Sequence, residues 1–560
     1  MPINGRPSLS LPPGILQTNK VPDARTLTRI RTIIGHKEAQ IETLLEERAR
    51  ACAIVAALDK KIENIRKDIK EHQALTTPAR RLPLEILFEI FHHCKASWPL
   101  APPVLASVCS RWRAAALSES SLWQSLSLTK QWPAHPVEFV DAWLQRSKSK
   151  PLHLSFNFSQ VYTLNNIDDA QYSVESVWQL VVENIHRVKS LDVIVSDTHL
   201  ADLMERLGEA EGAPLLQNFN LEIPGPPGCF SSKAPITKSL PPAPRLEIVR
   251  LTGASITWDA LKPSLPSLRR LTLMDVRGHP PCSMDACLDV INLCPDLEYL
   301  RMPLNILHDR IQNRDRPVIR RPSLKELILE CYAPIDPGPI LDYVNLPNLR
   351  SLSMSILGGM SISVNSWPHL SEFVTRSRCP LEDLSISGIL VQNDHIQHTL
   401  KSLSSLQGLT LRFSSIDDDV LAALTYCSRI HDTDPSLLLC PKLRRIELEH
   451  CHKFSGDALV KMIRSRTDKL FVPGKRTAAA AAAPKRYQWI NNRLEAITDI
   501  NATYPRPSNM NYLHVDFCSP IRANHCTQIN TLCAASTAKG FGFNSKLCFY
   551  ESGERYEMAR

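Results

Sequence analysis

The chain has 560 residues, 43% hydrophobic and 22% charged, with a formal charge of +8. That length calls for more than one domain, the composition is that of a folded protein, and the basic residues are too evenly spread to argue for a nucleic-acid partner. No run approaches the ~18 consecutive apolar residues of a membrane helix.

The N-terminal stretch lacks a continuous apolar signal region. The sixteen cysteines are therefore expected to be free, mostly buried thiols in an intracellular setting, cytoplasmic or nuclear. The glycosylation-like sites at Asn157 and Asn501 are then chance matches.

Residues 1–25 are rich in Pro, Ser and Gly and predict a disordered leader. Residues 26–75 hold no proline and many good helix formers. Ile34, Ile41, Val55, Ile62 and Ile69 recur every seven residues, with Arg48 as the polar exception. Leu44, Ala51, Leu58 and Ile65 form the second line of the seam. This is coiled-coil patterning. Two readings stand: a homodimer (or a helical hairpin with another chain) through residues 34–69, or one amphipathic helix lying on its own protein.

Residues 78–128 predict a compact set of short helices. Leu82, Ile86, Leu87, Ile90 and Phe91 fall on one helical face, with Pro83 and Glu85 suited to the first turn. A Pro-rich break (Pro99, Pro102, Pro103) follows. Val104, Leu105, Val108, Cys109, Trp112 and Ala116 make a second apolar set, closed by Leu122 and Trp123. So much apolar surface in about 50 residues fits either an ordinary small core or a face hidden against a partner.

The series Leu82-Pro83-x-Glu85-Ile86-Leu87, then Val108-Cys109-x-x-Trp112-Arg113, then Leu122-Trp123 closely resembles the F-box. It is most similar to the form common in fungal proteins. The resemblance implies docking on a Skp-family adaptor of an SCF (Skp–cullin–F-box) ubiquitin ligase. It assigns the contact to Leu82, Pro83, Ile86, Leu87, Ile90, Val108, Cys109 and Trp112.

Beyond Pro133, a short amphipathic helix (Val137, Phe139, Val140, Trp143, Leu144) precedes the alternating strand Leu152, Leu154, Phe156, Phe158. A unit of the form Pro-x-Leu-x-x-Leu-x-Leu then recurs: PRLEIVRL (Pro244–Leu251), PSLRRLTL (Pro266–Leu273), PDLEYLRM (Pro295–Met302), PSLKELIL (Pro322–Leu329) and PNLRSLSM (Pro347–Met354). LEDLSI (Leu381–Ile386), LQGLTL (Leu406–Leu411) and PKLRRIEL (Pro441–Leu448) continue it. From Leu216 to Leu443 the unit advances by about 28 residues per step. Two leucines two apart on a strand point the same way and cannot be buried alone, so neighbouring units must stack. The pattern resembles irregular leucine-rich repeats, and Cys451 resembles the marker of the cysteine-containing subtype. The expected fold class is α/β: coiled-coil helix, helical F-box, then a solenoid with a parallel sheet over residues 133–470. A plain α/β domain is the alternative.

Residues alternating with the inward leucines face the other side of such a sheet. Arg250, Arg270, Tyr299 and Arg301 fall in its first half, and Arg and Tyr are common binding anchors. An acidic or phosphorylated protein segment is one expected ligand; a plain solvated face is the other reading.

Asp457–Thr467 predicts a capping helix, and residues 471–486 an Ala-rich linker with Lys475-Arg476 and Lys485-Arg486. The two basic pairs fit a linker or a weak nuclear signal. Residues 487–560 carry no repeat and predict a tail of unassigned structure. His92-His93-Cys94, His450-Cys451-His452, Cys282 and Cys287 lack zinc-like spacing, and Gly540-x-Gly542 has no phosphate-loop context. With no nucleophile elbow or activated cysteine, no enzyme, cofactor or metal is expected. The function expected is substrate receptor of an SCF-type ligase with a Skp-family adaptor, a cullin core and a protein substrate as partners. The alternative is a repeat scaffold without a ligase role.

Overall fold

A computed structural model of the chain describes residues 21–76, 80–159 except 131, 167–224, 240–253, 266–274 and 283–304. It also describes 310–426 except 313, 333, 359, 365, 366 and 392, and 438–467. Beyond these it describes 487–490, 493–496, 510–537 except 517, 519 and 520, 544–551 and 554–558, with 11, 14–17 and 19 near the start. Most of the predicted leader, the 471–486 linker, Cys282, Asn501 and Gly540-x-Gly542 lie outside the described residues. The chain divides into two compact units, Met1–Ile90 and Phe91–Arg560.

The first unit is dominated by one helix, α1, Ala24–Thr76, 53 residues long. It starts two residues before the sequence boundary because Asp23 caps it: its Oδ1 accepts from Thr26 N at 2.9 Å, and hydrogen bonds from the Thr26 side chain and then its N–H hold the carboxyl below its usual range. Helix α2 follows as Leu84–Ser97, with Glu85 in its first turn. The division between the units falls within α2.

The second unit opens with α3, Ala101–Val108, and α4, Ser110–Ser118. Pro102 and Pro103 do not interrupt structure as the sequence suggested. They sit in the first turn of α3, where the missing N–H has no partner to lose. A 3₁₀ turn, Ser120–Trp123, leads into a sheet that has fifteen strands among the described residues.

The sheet's strands stack in chain order. They begin with Ser125–Leu128, Leu152–Asn157, Val188–Ile194, Asn218–Glu222 and Ile248–Thr252. Arg270–Met274, Tyr299–Leu304, Glu326–Cys331, Ser351–Ile356, Asp383–Ser387, Gly408–Arg412 and Arg445–Glu449 follow, each parallel to the last. Every repeat unit read from the sequence supplies one of these strands.

The register shifts once, between Leu152 and His153 where Leu152–Asn157 meets Val188–Ile194, and from Ile248–Thr252 to Arg445–Glu449 it is uniform. Val249, Leu271, Leu300, Leu327, Leu352, Leu384, Leu409 and Ile446 form one continuous rung and are almost wholly buried. The inward residues two positions further on, Leu251, Leu273, Met302, Leu329, Met354, Ile386, Leu411 and Leu448, form the next. Crossover helices such as His369–Ser377, Asn393–Ser402 and Asp418–Leu424 pack on one another in succession. This parallel order is what stacked repeats require. Among the described residues no helix is long and apolar enough to cross a membrane.

The sheet does not end at Glu449, as the reading of 487–560 as an unassigned tail implied. Tyr512–Asp516 pairs in parallel with Arg445–Glu449, Asn544–Glu551 pairs in parallel with it in turn, and Glu554–Met558 closes the edge antiparallel. The signal was present. Leu513-x-Val515-x-x-Cys518 repeats the spacing of Ile446-x-Leu448-x-x-Cys451. Both cysteines do the same work: Cys451 Sγ donates to Leu411 O of the preceding strand at 3.5 Å, and Cys518 Sγ to Leu448 O at 3.7 Å.

A charged side chain is built into the core of this end of the sheet. Arg466, on helix Gly456–Thr467, is 1% exposed and donates to Leu424 O at 2.8 Å, Leu439 O at 2.9 Å and Cys440 O at 3.2 Å. Burial pulls its pKa down to about 10. Arg466→Met leaves three buried carbonyl oxygens without that donor and is expected to cost roughly 2–4 kcal/mol. The check is the urea midpoint at unchanged slope.

Candidate functional site: an apolar helical segment and a polar sheet face

The F-box-like residues fall into three groups by exposure. On the first unit's side, Pro83 and Ile86 are exposed, Ile86 at 46%, while Leu82 and Ile90 are half-buried. Leu87 is fully buried. It therefore serves the core of this chain and is removed from the docking set.

In the second unit, Val108 and Cys109 are exposed and Trp112 is half-buried. Phe91 is fully buried and its ring lies 5.1 Å from that of Trp112. Val108, Cys109 and Trp112 are brought together at the turn between α3 and α4. Cys109 has a structural role besides: it is the N-cap of α4, its Sγ accepting from Trp112 N at 3.5 Å.

The sequence reading left four exposed apolar side chains out of this set, Leu84, Trp98, Val104 and Leu117, the last 38% exposed on α4. Val104 is 47% exposed and lies one turn before Val108 on the same face of α3; Leu84 and Trp98 are 46% and 50% exposed. The i, i+4 spacing of Val104 and Val108 was the available signal.

Polar ties hold the segment's shape. Lys95 Nζ donates to Ser121 O at 2.9 Å, and its half-burial lowers the ammonium pKa. His92 Nε2 lies 3.2 Å from Ser121 Oγ. Trp123 is fully buried, donates from Nε1 to Ala116 O at 2.8 Å, and meets Trp143 edge-on at 4.9 Å. The Arg146 guanidinium stacks over the Trp123 ring at 4.7 Å.

The second candidate surface is the sheet face opposite the leucine rungs. Arg250, Thr272, Arg301, Ile328, Ser353, Ser385, Thr410 and Glu447 are register partners in series. So are Ile248, Arg270, Tyr299, Glu326, Ser351, Asp383, Gly408 and Arg445. The predicted residues Arg250, Arg270, Tyr299 and Arg301 thus lie on adjacent rungs of one face. Arg270 stacks on Tyr299 at 4.4 Å from the ring centroid.

Arg301 is different. Its Nη2 donates to Glu330 Oε1 at 2.6 Å and its Nε to Oε2 at 3.1 Å, a two-pronged pair that raises its pKa. Its fork is occupied, so it is not the open anion receptor the sequence suggested. Tyr299 is pushed up chiefly by burial, then by Glu326.

Further along, Arg445 Nη2 reaches Asp383 Oδ1 at 2.5 Å across an intervening strand. Gly408 sits on that strand, and a Cβ there would collide with both partners. Ser351, Ser385 and Thr410 line the recess beside this bridge, about 180 Å³ in volume.

Residues 79–129 match the F-box-like family. No curated protein matches the chain significantly. Among solved structures, one similar chain is a protein of Bacteroides fragilis, 13% identical, covering 54% of this chain and 83% of that one with a TM-score of 0.27. A likeness that low carries no conclusion about this chain. The F-box-like domain implies binding of a Skp-type adaptor in general and suggests a role in substrate recognition by a ubiquitin ligase.

Trp123→Ala removes a fully buried indole and its bond to Ala116 O. A loss of roughly 3–5 kcal/mol is expected, read as a lowered urea or thermal midpoint of the full chain.

Proposed function

We propose that the protein is the substrate-receptor subunit of an SCF-type ubiquitin ligase. The segment around α2, α3 and α4 docks on a Skp-family adaptor linked to a cullin core. The parallel sheet is a leucine-rich-repeat array that holds a target protein. The chain performs no bond chemistry itself. It raises the local concentration of target lysines near a charged ubiquitin-conjugating enzyme. Self-pairing of α1 presents two receptors together and adds avidity.

The observation that carries this reading is the exposed apolar pair Val104 and Val108 on α3, within residues 79–129 that match the F-box-like family. A small helical segment that leaves such side chains in water is suited to cover by a partner. The sheet face supplies Arg250, Arg270 and Tyr299 towards a target segment carrying carboxylate or phosphate.

Ile86→Asp and Val108→Asp place charge on exposed positions, so stability should hold. Adaptor capture by the full chain is expected to fall at least about tenfold, the loss of one buried anchor. Capture at full strength would remove the docking face. Adaptor captured without cullin would favour a repeat scaffold outside the ligase.

Arg250→Glu with Arg270→Glu reverses charge on the sheet face alone. Affinity capture after proteasome inhibition should then lose bound target proteins while retaining adaptor. An unchanged set of captured proteins would exclude this face.

A further inference from the structure

The seam of α1 is exposed along its whole length. No described side chain of the helix is buried, and Ile41 and Leu44 are 56% and 63% exposed. Fifty-three residues at 1.5 Å each make a rod of about 80 Å. Helices draw most of their stability from packing an apolar stripe, so this stripe calls for a partner. The charges that flank it identify which one.

A parallel, in-register pair of copies is electrostatically poor. Extending the heptad register puts Lys37 and His72 on the second seam line and Arg48 on the first. In-register pairing sets each of these against itself inside the seam. At the flanks it sets Lys61 against Arg66 of the other copy, twice.

An antiparallel pair centred on Ala53 removes every one of these conflicts. Arg48 then faces Leu58, over which its aliphatic stem can lie while the charge reaches water. Lys37 faces Ile69, and His72 faces Ile34. Along one flank Glu47 meets Lys61, Ile33 meets Leu75, and Ile54 meets Ile54 across the two-fold axis. Along the other flank Glu38 meets Arg66. Each Glu–cation pair occurs twice by symmetry, and no like charges oppose.

Neighbouring registers are worse. Moving the centre half a heptad towards the N-terminus sets Glu38 against Asp59 and Arg31 against Arg66. Moving it the other way sets Glu47 against Asp68. Within one copy these flanking charges carry little local pairing: Arg66 lies 3.9 Å from Glu63, a long contact on an exposed surface.

We propose that α1 is a self-recognition helix that pairs antiparallel with α1 of a second copy, centred on Ala53. It rests on the self-pairing proposed above and adds its orientation and register. A consequence is that the two segments following α1 emerge at opposite ends of the paired rod.

The test uses the full chain, with mass measured by sedimentation equilibrium against the 62.9 kDa of one copy. The wild type is expected to associate to a dimer. Lys61→Glu sets a carboxylate against Glu47 in the antiparallel pair and should weaken dimerisation about tenfold, two attractions becoming two repulsions. In a parallel pair the same change sets that carboxylate against Arg66 and should strengthen it. Adding Glu47→Lys to Lys61→Glu should restore the wild-type dissociation constant.

A mixture of Ile33→Cys and Leu75→Cys chains treated with a short bismaleimide should yield a linked 33–75 peptide pair by mass spectrometry. A tighter Lys61→Glu dimer, or no 33–75 link in a proven dimer, overturns the orientation. A wild type that stays monomeric while capturing the adaptor overturns the self-pairing and leaves the receptor reading standing. A dimer without adaptor capture does the reverse.

Discussion

Each strand of this protein is too short to bury its own leucines. A five-residue strand such as Gly408–Arg412 turns Leu409 and Leu411 to one side, and only the strands on either side can take them out of water. Each unit therefore depends on its neighbours being in register. A slip by one residue would send the leucines to the solvent face and the arginines inward. That constraint explains why such varied unit lengths still give one unbroken rung from Val249 to Leu513. Loops absorb the variation and the rung does not.

The same constraint frees the opposite face to vary. Apart from buried exceptions such as Thr272, Gly408 and Glu330, positions alternating with the inward apolar residues lie outside the core, and they change character along the sheet, from arginine and tyrosine to serine and threonine to charge pairs. Where charges meet there, they are matched between strands, as Arg301 with Glu330 and Arg445 with Asp383. The second pair passes over Gly408, so an absent side chain on one strand lets its two neighbours interact. Matching of this kind lowers the net field of the face and leaves Arg250 and Arg270 as its stronger local features. Recognition there would depend on a few positions rather than on bulk charge.

The strands were legible because a two-residue period with a fixed six-residue core survives local irregularity. Leu324-x-x-Leu327-x-Leu329 reads as a strand whatever surrounds it. The long helix was legible for the same reason, with a period of seven. Less was visible where one residue serves two purposes. Leu87 matches the docking pattern as well as Ile86 does, but in three dimensions one faces the core and the other water. Arg301 looks like an anchor until Glu330, 29 residues on, proves to hold it. Pro102 and Pro103 read as a break because proline stops a helix in its interior and tolerates its first turn, and sequence alone did not say which applied. The strand Tyr512–Asp516 was missed through distance: more than sixty residues part it from Arg445–Glu449, far beyond the spacing of the other units.

Polar exceptions inside an apolar pattern limit the possible partners more than the apolar residues do. Along α1 the isoleucines and leucines would accept almost any apolar stripe, in either direction. Arg48, Lys37 and His72 would not, because each must face something other than itself. The flanking acids then reduce the remaining registers to one. On the sheet the logic is the same with the sign inverted. Interchangeable aliphatic side chains and methionines at the inward positions make any neighbour acceptable, and order is imposed by chain connectivity. A surface meant to choose a partner needs imperfections in the places where a surface meant only to stack can do without them.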